Sequence, residues 1–450
     1  MSIYRAYDIR GVYGDDLTDA IAEDIGKAYG SSVEGTVAVG RDVRLSSPAL
    51  ANSLVKGLKS TGLRIIDVGV VPTPLLYYTI HELGLDGGVM LTGSHNPPKY
   101  NGFKLCRKGA MTLYGPEIQA IGDAVDAGRH RTGAGKVEKR DVLGEYIDFV
   151  CERIRLKRKL KVVLDCANGT AGAVAPKLFR RLGCEVIELY SEPDGTFPNH
   201  PADPTVDGNL EALISKVRET GADIGLAYDG DADRAGFVDE KGGIIRGDQA
   251  LALFSREILR THKGAKIIFE VKCSMALTED ILAHGGTPIM YRTGHSFIKK
   301  KIKDEGALMA GEMSGHFFFA DDYPGFDDGI YASARMAQLV SIGGKKLSEI
   351  VATIPRYYST AEIRVDVPEE EKFRIVEEVK NKFQGEYDII TVDGLRVQDR
   401  DGWGLIRASN TQPALILRFE GRTEAKRDEM KALFREALAA EPALKGRVDF

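Results

Sequence analysis

Cysteine is scarce and scattered in this chain. There are five cysteines, an odd number, and no Cys-x-x-Cys pair. A disulfide framework or a zinc site is therefore not expected, and a reducing cytoplasm fits. Long apolar runs are also missing. None approaches the ~20 residues of a membrane span. Met1 to Arg10 carries charges where a leader needs an apolar core, so no signal peptide is expected. Nor is there an excess of positive charge. Lys plus Arg number 61 against 66 Asp plus Glu, a formal net charge of −5. That balance opposes broad attraction to nucleic acid or an anionic membrane, while leaving room for a local basic pocket.

What the chain does have is length and an ordinary globular composition. Its 450 residues are 43% hydrophobic and 28% charged. That is too long for one core, and three or four domains are expected. A pattern of short apolar strands recurs three times. The first set is Val37–Val39, ending in Gly-Arg-Asp, then Leu63–Val71 and Val89–Leu91. The second is Lys161–Leu164, Glu185–Leu189 and Ile224–Tyr228. The third is Ala265–Val271, Thr287–Tyr291 and Ala307–Ala310. Strands alternating with helical stretches imply largely parallel sheets, and three copies imply three similar domains. The remainder, from about Ser359, mixes strands with a helix over Glu369–Phe383 and a closing helix from about Thr423. It reads as an α+β domain, with Phe373, Val376 and Val379 on one helix face.

The third strand of each unit runs into a polar loop. Ligands of open α/β sheets bind beyond the carboxyl ends of strands, so the three loops can share one cleft. The first is Leu-Thr-Gly-Ser-His-Asn-Pro-Pro, residues 91–98. Pro97 and Pro98 stop sheet pairing and stiffen the backbone that presents Ser94. A serine needs a base, a metal or prior modification to act as a nucleophile. Taken alone, the segment is an ordinary turn.

The second loop places Asp229, Asp231 and Asp233 at alternate positions. Carboxylates so close repel unless a cation sits among them, and hard oxygen ligands suit Mg²⁺ or Ca²⁺. An EF-hand starts the same way, and Glu240 even falls at its twelfth position. Arg234, however, stands where that loop needs glycine, and the flanks read as strands. A solvated acidic turn is the plain alternative. The third loop, residues 311–316, holds Glu312 and Ser314. Two apart in an extended loop, they would face the same way and suit neighbouring sugar hydroxyls. Arg407, Ser409, Asn410 and Thr411, with Arg418 beyond them, offer guanidinium, hydroxyl and amide donors to an anion such as phosphate. His295 and Lys272 lie just past strand ends, and either has a plain structural reading.

Five motifs in order, Tyr-Asp-Ile-Arg-Gly, Thr-Gly-Ser-His-Asn-Pro, Asp-Gly-Asp-Ala-Asp-Arg, Gly-Glu-Met-Ser-Gly-His and Arg-Ala-Ser-Asn-Thr, span the chain. Together they resemble the α-D-phosphohexomutase family, within it the bacterial and archaeal phosphomannomutase/phosphoglucomutase group. The resemblance implies four domains around a central cleft, with bounds at 1–139, 140–243, 244–355 and 356–450. Three would be similar α/β domains with mixed, largely parallel sheets. It implies that Ser94 is a phosphoserine and that one Mg²⁺ is held by Asp229, Asp231, Asp233 and a phosphoserine oxygen, with Arg234 supporting the metal loop. Glu312 and Ser314 would grip the sugar. Arg407, Ser409, Asn410, Thr411 and Arg418 would hold the phosphate that stays in place. Tyr7, Lys272 and His316 would line the substrate site. Arg10 and His95 would belong to the catalytic group, and Lys104 and His295 would be the proton-transfer candidates, Lys104 first because it shares a loop with Ser94.

The implied reaction interconverts hexose 1-phosphate and hexose 6-phosphate through a 1,6-bisphosphate. Glucose or mannose 1,6-bisphosphate would serve as activator, and hexose phosphates would be the partners. The nearest competitor, phosphoglucosamine mutase, usually carries Gln in place of Met313 and a different residue in place of Gly93. A Mg²⁺-dependent phosphatase would need neither a sugar loop nor a second phosphate pocket, and a mere binding protein should lack Ser94 or one of the aspartates.

Overall fold

The computed structural model describes residues 3–385, 387–409, 413–439, 441 and 444. One sheet motif is used three times. Three parallel strands form its centre, with the first in sequence in the middle, the second on one side and the third on the other. An antiparallel return strand lies beyond the third. In the first unit the four are Thr36–Arg41, Arg64–Val70, Gly87–Leu91 and Tyr100–Arg107. In the second they are Lys161–Asp165, Glu185–Leu189, Ile224–Tyr228 and Ala235–Asp239. In the third they are Lys266–Glu270, Thr287–Tyr291, Met309–Gly311 and Phe317–Phe319.

The return strands are not anticipated by the alternation of strand and helix. Their effect is to make each polar loop a tight connection between antiparallel neighbours, fixed at both ends. Gly87–Leu91 and Ile224–Tyr228 are buried at every position. Helices cover both faces, which is why these strands read as apolar runs rather than as alternation.

The fourth domain is an antiparallel sheet of Tyr358–Ser359, Ile363–Asp366, Ile389–Ile390, Leu395–Gln398, Gly402–Ala408 and Ala414–Gly421. Helices Lys372–Phe383 and Glu424–Ala439 pack on it. Two expectations change here. The strand foreseen from Ser359 to Val367 is two short strands, interrupted at 360–362. Phe373 is 61% exposed. The buried row of that helix is Ile375, Val379 and Phe383, four apart, with Val376 beside it.

The cores are distributed unevenly. Units one to three share a continuous apolar interior that includes Tyr77, Tyr146, Leu226, Phe254 and Phe319. The fourth domain has its own, around Ile375, Leu417 and Phe434. A small cluster of Val271, Met275, Trp403 and Leu405 joins it to the third unit.

Candidate active site

The loops at 92–99, 229–234 and 312–316 connect the third strand of each unit to its return strand, so the repeated topology delivers them to equivalent places. Each contains a residue at positive φ: Ser94 at 48°, Ala232 at 58° and Gly315 at 86°. For Ser94 and Ala232 that conformation costs about 1–2 kcal/mol, which the surrounding contacts must offset. The loops of the first two units touch directly. A Cβ on Gly230 would lie 2.6 Å from the Ser94 carbonyl oxygen, so only glycine allows this approach. The Ser94 hydroxyl donates to Asp229 Oδ2 at 2.8 Å. His95 Nδ1 lies 3.2 Å from the same hydroxyl. Ser94 is only 2% exposed.

Asp229, Asp231 and Asp233 are fully buried, and each offers a carboxylate oxygen within 4.8 Å of the others. Lys104 Nζ donates to Asp231 Oδ2 at 2.7 Å and to Asp233 Oδ2. Thr73 of the first unit donates to Asp231. Burial opposes charge on Lys104, but Asp231 and Asp233 outweigh it and raise its pKa. Burial, then Asp231 and Asp233, push the Asp229 carboxyl well above the usual range. Burial also works against charge on Asp233, yet Lys104 and His316 leave it net lowered. Among the described residues, Asp231 Oδ1 and Asp233 Oδ1 are buried and accept no hydrogen bond. Three buried oxygen donors with unused lone pairs and one compensating ammonium are a donor set that a hard divalent cation fits.

The third loop closes on this cluster. Glu312 to Gly315 forms a tight turn, held by Gly315 N–H to the Glu312 carbonyl at 3.1 Å. The expectation of an extended loop therefore does not hold, because the short connection to the return strand forces a turn. Ser314 is half-buried in it. Glu312 Oε1 accepts the Gly294 N–H at 2.7 Å, and burial raises the Glu312 carboxyl. Arg234 Nε donates to His316 Nε2 at 3.0 Å and lies 3.8 Å from Asp229 Oδ2. His316 stacks on His295 with ring centres 5.6 Å apart. Both rings face Asp327, at 3.2 Å from His316 Nδ1 and 3.5 Å from His295 Nδ1. Burial holds His295, and likewise His95, well below the ordinary histidine pKa. Arg10 reaches Asn96 Oδ1 at 2.8 Å and pairs with Asp8. Tyr7 meets His295 edge-on at 5.5 Å.

A second group of charges lies where the fourth domain meets the third unit. Lys272 pairs with Glu362 at 3.0 Å and lies 3.6 Å from Glu270. Arg407 Nε donates to Asp393 at 2.9 Å. Arg418 donates to the Lys272 carbonyl at 2.8 Å. Ser409 is buried beside them in sequence, and its carbonyl accepts from Lys372. Asn410 and Thr411 lie outside the described residues. Beneath the group, Arg396 crosses the domain boundary to the Val271 and Cys273 carbonyls and covers Trp403 at 3.9 Å.

The structure thus gathers Ser94, His95, Lys104, Arg10, the three aspartates, Arg234, His295 and His316 at one end, and Lys272, Arg407 and Arg418 at the other. Sequence reasoning missed Arg44, Thr73, Asp327 and Glu362. Arg44 and Asp42 follow the strand end already marked by Gly-Arg-Asp, and that carboxyl-terminal position was the usable signal. Asp327 and Glu362 sit in segments with no motif-like spacing.

Comparison with known proteins follows the same division of the chain. The family models described as Phosphoglucomutase/phosphomannomutase alpha/beta/alpha domains I, II and III match residues 1–132, 144–243 and 246–358, and the C-terminal domain model matches 362–437. A phosphomannomutase/phosphoglucomutase of Pseudomonas aeruginosa is 49% identical over 444 residues, covering 98% of this chain and 96% of that protein. A phosphoglucomutase of Neisseria gonorrhoeae is 44% identical over 452 residues, covering 98% of each. A crystal structure of a phosphoglucomutase/phosphomannomutase family protein from Burkholderia thailandensis superposes with a TM-score of 0.93 at 41% identity, covering 99% of this chain and 98% of that one.

Proposed function

The chain belongs to the phosphoglucomutase/phosphomannomutase family, and from that premise we propose how its own residues carry the reaction. The protein is a phosphohexomutase that interconverts the 1-phosphate and 6-phosphate of mannose or glucose. The glucosamine reading has less support, since the relatives of 44–49% identity carry mannose or glucose names. Ser94 is the phosphoryl carrier in this proposal. The observation that carries the assignment is the 2.8 Å contact between Ser94 Oγ and Asp229, which joins the loops of two units.

Phosphoryl transfer asks chiefly for positioning and charge stabilisation. Asp229, Asp231 and Asp233, with an oxygen of phospho-Ser94, would hold Mg²⁺. Bound there, the cation supplies neutralisation of charge on the phosphoryl group. Arg234 keeps Asp229 oriented, and its contact to His316 ties the metal loop to the sugar loop. In the first half-reaction the bond from Ser94 Oγ to phosphorus breaks as a bond forms from a hexose hydroxyl oxygen to phosphorus. The hydroxyl proton passes to an imidazole held neutral, His295 or His95. The sequence makes Lys104 the first candidate for that base because it shares a loop with Ser94, but the residue lies on the return strand Tyr100–Arg107. With its pKa raised between Asp231 and Asp233, its ammonium would instead supply a proton to the departing serine oxygen. The product is a 1,6-bisphosphate. After it turns over, its other phosphoryl group returns to Ser94 Oγ and the resting form is restored. Glucose or mannose 1,6-bisphosphate would prime a dephosphorylated enzyme by the same return step.

Glu312 and Ser314 would hold sugar hydroxyls in both poses. Tyr7 and Arg10 close the site from the first unit. The phosphate not being transferred would sit among Lys272, Arg407, Ser409 and Arg418, with Asn410 and Thr411 of the same loop. The test is side-by-side turnover of mannose, glucose and glucosamine 1-phosphates with Mg²⁺ and a trace of bisphosphate. Efficient conversion of the first two is expected. Preference for glucosamine 1-phosphate would move the chain to the other branch of the family.

A further inference from the structure

We infer that Arg44 is a positioning residue for Ser94, and that the 191–204 loop of the second unit holds Arg44 in place. The inference rests on Ser94 as the phosphoryl carrier.

Arg44 is 1% exposed, yet among the described residues its guanidinium has only one carboxylate partner, Asp42, at 3.0 Å. Its other donors are spent on main-chain carbonyls of the Ser94 loop. Nη2 donates to Ser94 O at 2.9 Å and Asn96 O at 2.6 Å, and Nη1 donates to Pro97 O at 2.7 Å and Tyr100 O at 2.9 Å. These carbonyls span the loop from the serine to the start of the return strand. A loop with two consecutive prolines lacks two N–H donors, so its inward carbonyls need a partner from elsewhere. The planar fork of arginine can serve several at once, and the single point of a lysine cannot. Asp42 completes the clamp by accepting the N–H groups of Gly93 at 3.2 Å and Arg44 at 3.0 Å. A Cβ on Gly93 would lie 2.5 Å from Arg44 Cζ. Gly93 is therefore fixed by the clamp itself. With Ser94 at a φ of 48°, such over-determination keeps the strained residue in place.

The outer face of Arg44 meets the second unit. Phe197 lies over the guanidinium at 5.2 Å and packs with Ala167, Ala202 and Val43. Phe197 is itself at a φ of 49°, so its loop is also held against strain. The tethers are visible. Asn168 Oδ1 accepts from Asn199 at 2.7 Å, Asn168 Nδ2 donates to Glu192 O at 2.9 Å, and His200 pairs with Asp165 at 3.1 Å. Asp165 ends the first strand of the second unit, just as Arg41 ends that of the first. Equivalent strand ends from two units thus meet behind the reacting loop. Arg44 donates to none of the three aspartates, so its action runs through the backbone.

The experiment compares wild type with Arg44→Lys, Phe197→Leu and Phe197→Tyr. It reads kcat and KM for glucose 1-phosphate, the melting temperature, and amide exchange of the peptide covering 92–101. Arg44→Lys is expected to lower kcat roughly a hundredfold, as a misplaced reacting group does, with KM within about twofold. Exchange in 92–101 should rise. Phe197→Leu should lower kcat about threefold and raise exchange in 92–101, in a different unit from the substitution, and Phe197→Tyr should restore both. An unchanged kcat and unchanged exchange in Phe197→Leu would overturn the inference, as would an Arg44→Lys effect confined to KM. If Arg44→Lys does not fold, the Phe197 pair decides alone. Exchange is compared between wild type and variants in one and the same phosphorylation state of Ser94, because a phosphoryl group on the loop alters it. A wild type without phosphate at Ser94 whose loop still responds to Phe197→Leu would overturn the carrier assignment and leave the clamp standing.

Discussion

The side chains of Asp229, Asp231 and Asp233 have no exposed surface, whereas the Glu362 side chain that pairs with Lys272, where the fourth domain meets the third unit, is 47% exposed. Both ends join acids to bases across units, and the difference lies in what can replace the partners. At the reacting end the charges are desolvated and sit on the core shared by three units. Lys104 serves Asp231 and Asp233 together, and a change in this balance of buried charges cannot be screened by water. At the anchoring end Lys272 is 12% exposed and only its partner Glu362 reaches solvent, so an incoming phosphate can take the place of Glu362 while water receives the displaced carboxylate. The Lys272 ammonium holds the Glu362 carboxyl below the usual range, with Arg407 and Arg418 adding to it. That carboxylate therefore stays an anion among the cations that would bind phosphate. The fourth domain has its own core and meets the third unit through a small apolar cluster and hydrogen bonds such as those of Arg396 and Arg418, and the proposed reaction asks it to open and reclose there. An enzyme that must turn a bisphosphate over between two transfers gains from this division.

The largest expected effect breaks the reacting end. Asp231→Asn should weaken Mg²⁺ binding on the order of a hundredfold, measured by calorimetric titration, while Lys104 keeps Asp233 as its partner. Retained Mg²⁺ affinity would remove the aspartates from the metal site. Next, Arg407→Ala should raise KM for either hexose phosphate roughly tenfold or more with a smaller change in kcat. A pure kcat effect would place Arg407 at the wrong end. Glu362→Gln should act in the opposite sense. It should lower KM about two- to threefold by removing the resident anion, and a rise would show that Glu362 organises the pocket instead.

The smallest effect concerns the support behind Ser94. Burial opposes charge on His200, but the hydrogen bond and charge of Asp165 outweigh it, so its pKa is raised. The stabilisation is then fully present below about pH 6.5 and lost as pH rises through the folded pKa. The melting-temperature gap between wild type and His200→Gln should be about a degree or two at pH 6 and close by pH 8.5. A gap that widens with pH would contradict the assignment of this pair.

Much of this was legible in the sequence, unevenly. The triplication was, because strands covered on both faces must be apolar throughout and their polar ends stand out. The clustering of the three aspartates was, because alternate positions in one short loop bring their carboxylates together. The return strands were not, since Phe317–Phe319 and Tyr100–Arg107 carry no period distinct from the loops they follow. The place of Arg44 past a strand end was legible but its role was not, because its partners are main-chain carbonyls that leave no side-chain signature. The placement of Lys104 between two aspartates from another unit was not, because contacts between units obey no spacing rule. Phe373 was misassigned because the row four residues apart, rather than three, faces the core.

The central claim is that Ser94 carries the phosphoryl group. Intact mass with peptide mapping, on protein purified with Mg²⁺ and a trace of glucose 1,6-bisphosphate, tests it most directly. The account predicts one phosphate on the Ser94 peptide, removed by excess hexose monophosphate. No phosphate on that peptide under priming conditions, or a phosphate that excess substrate leaves in place, would contradict it.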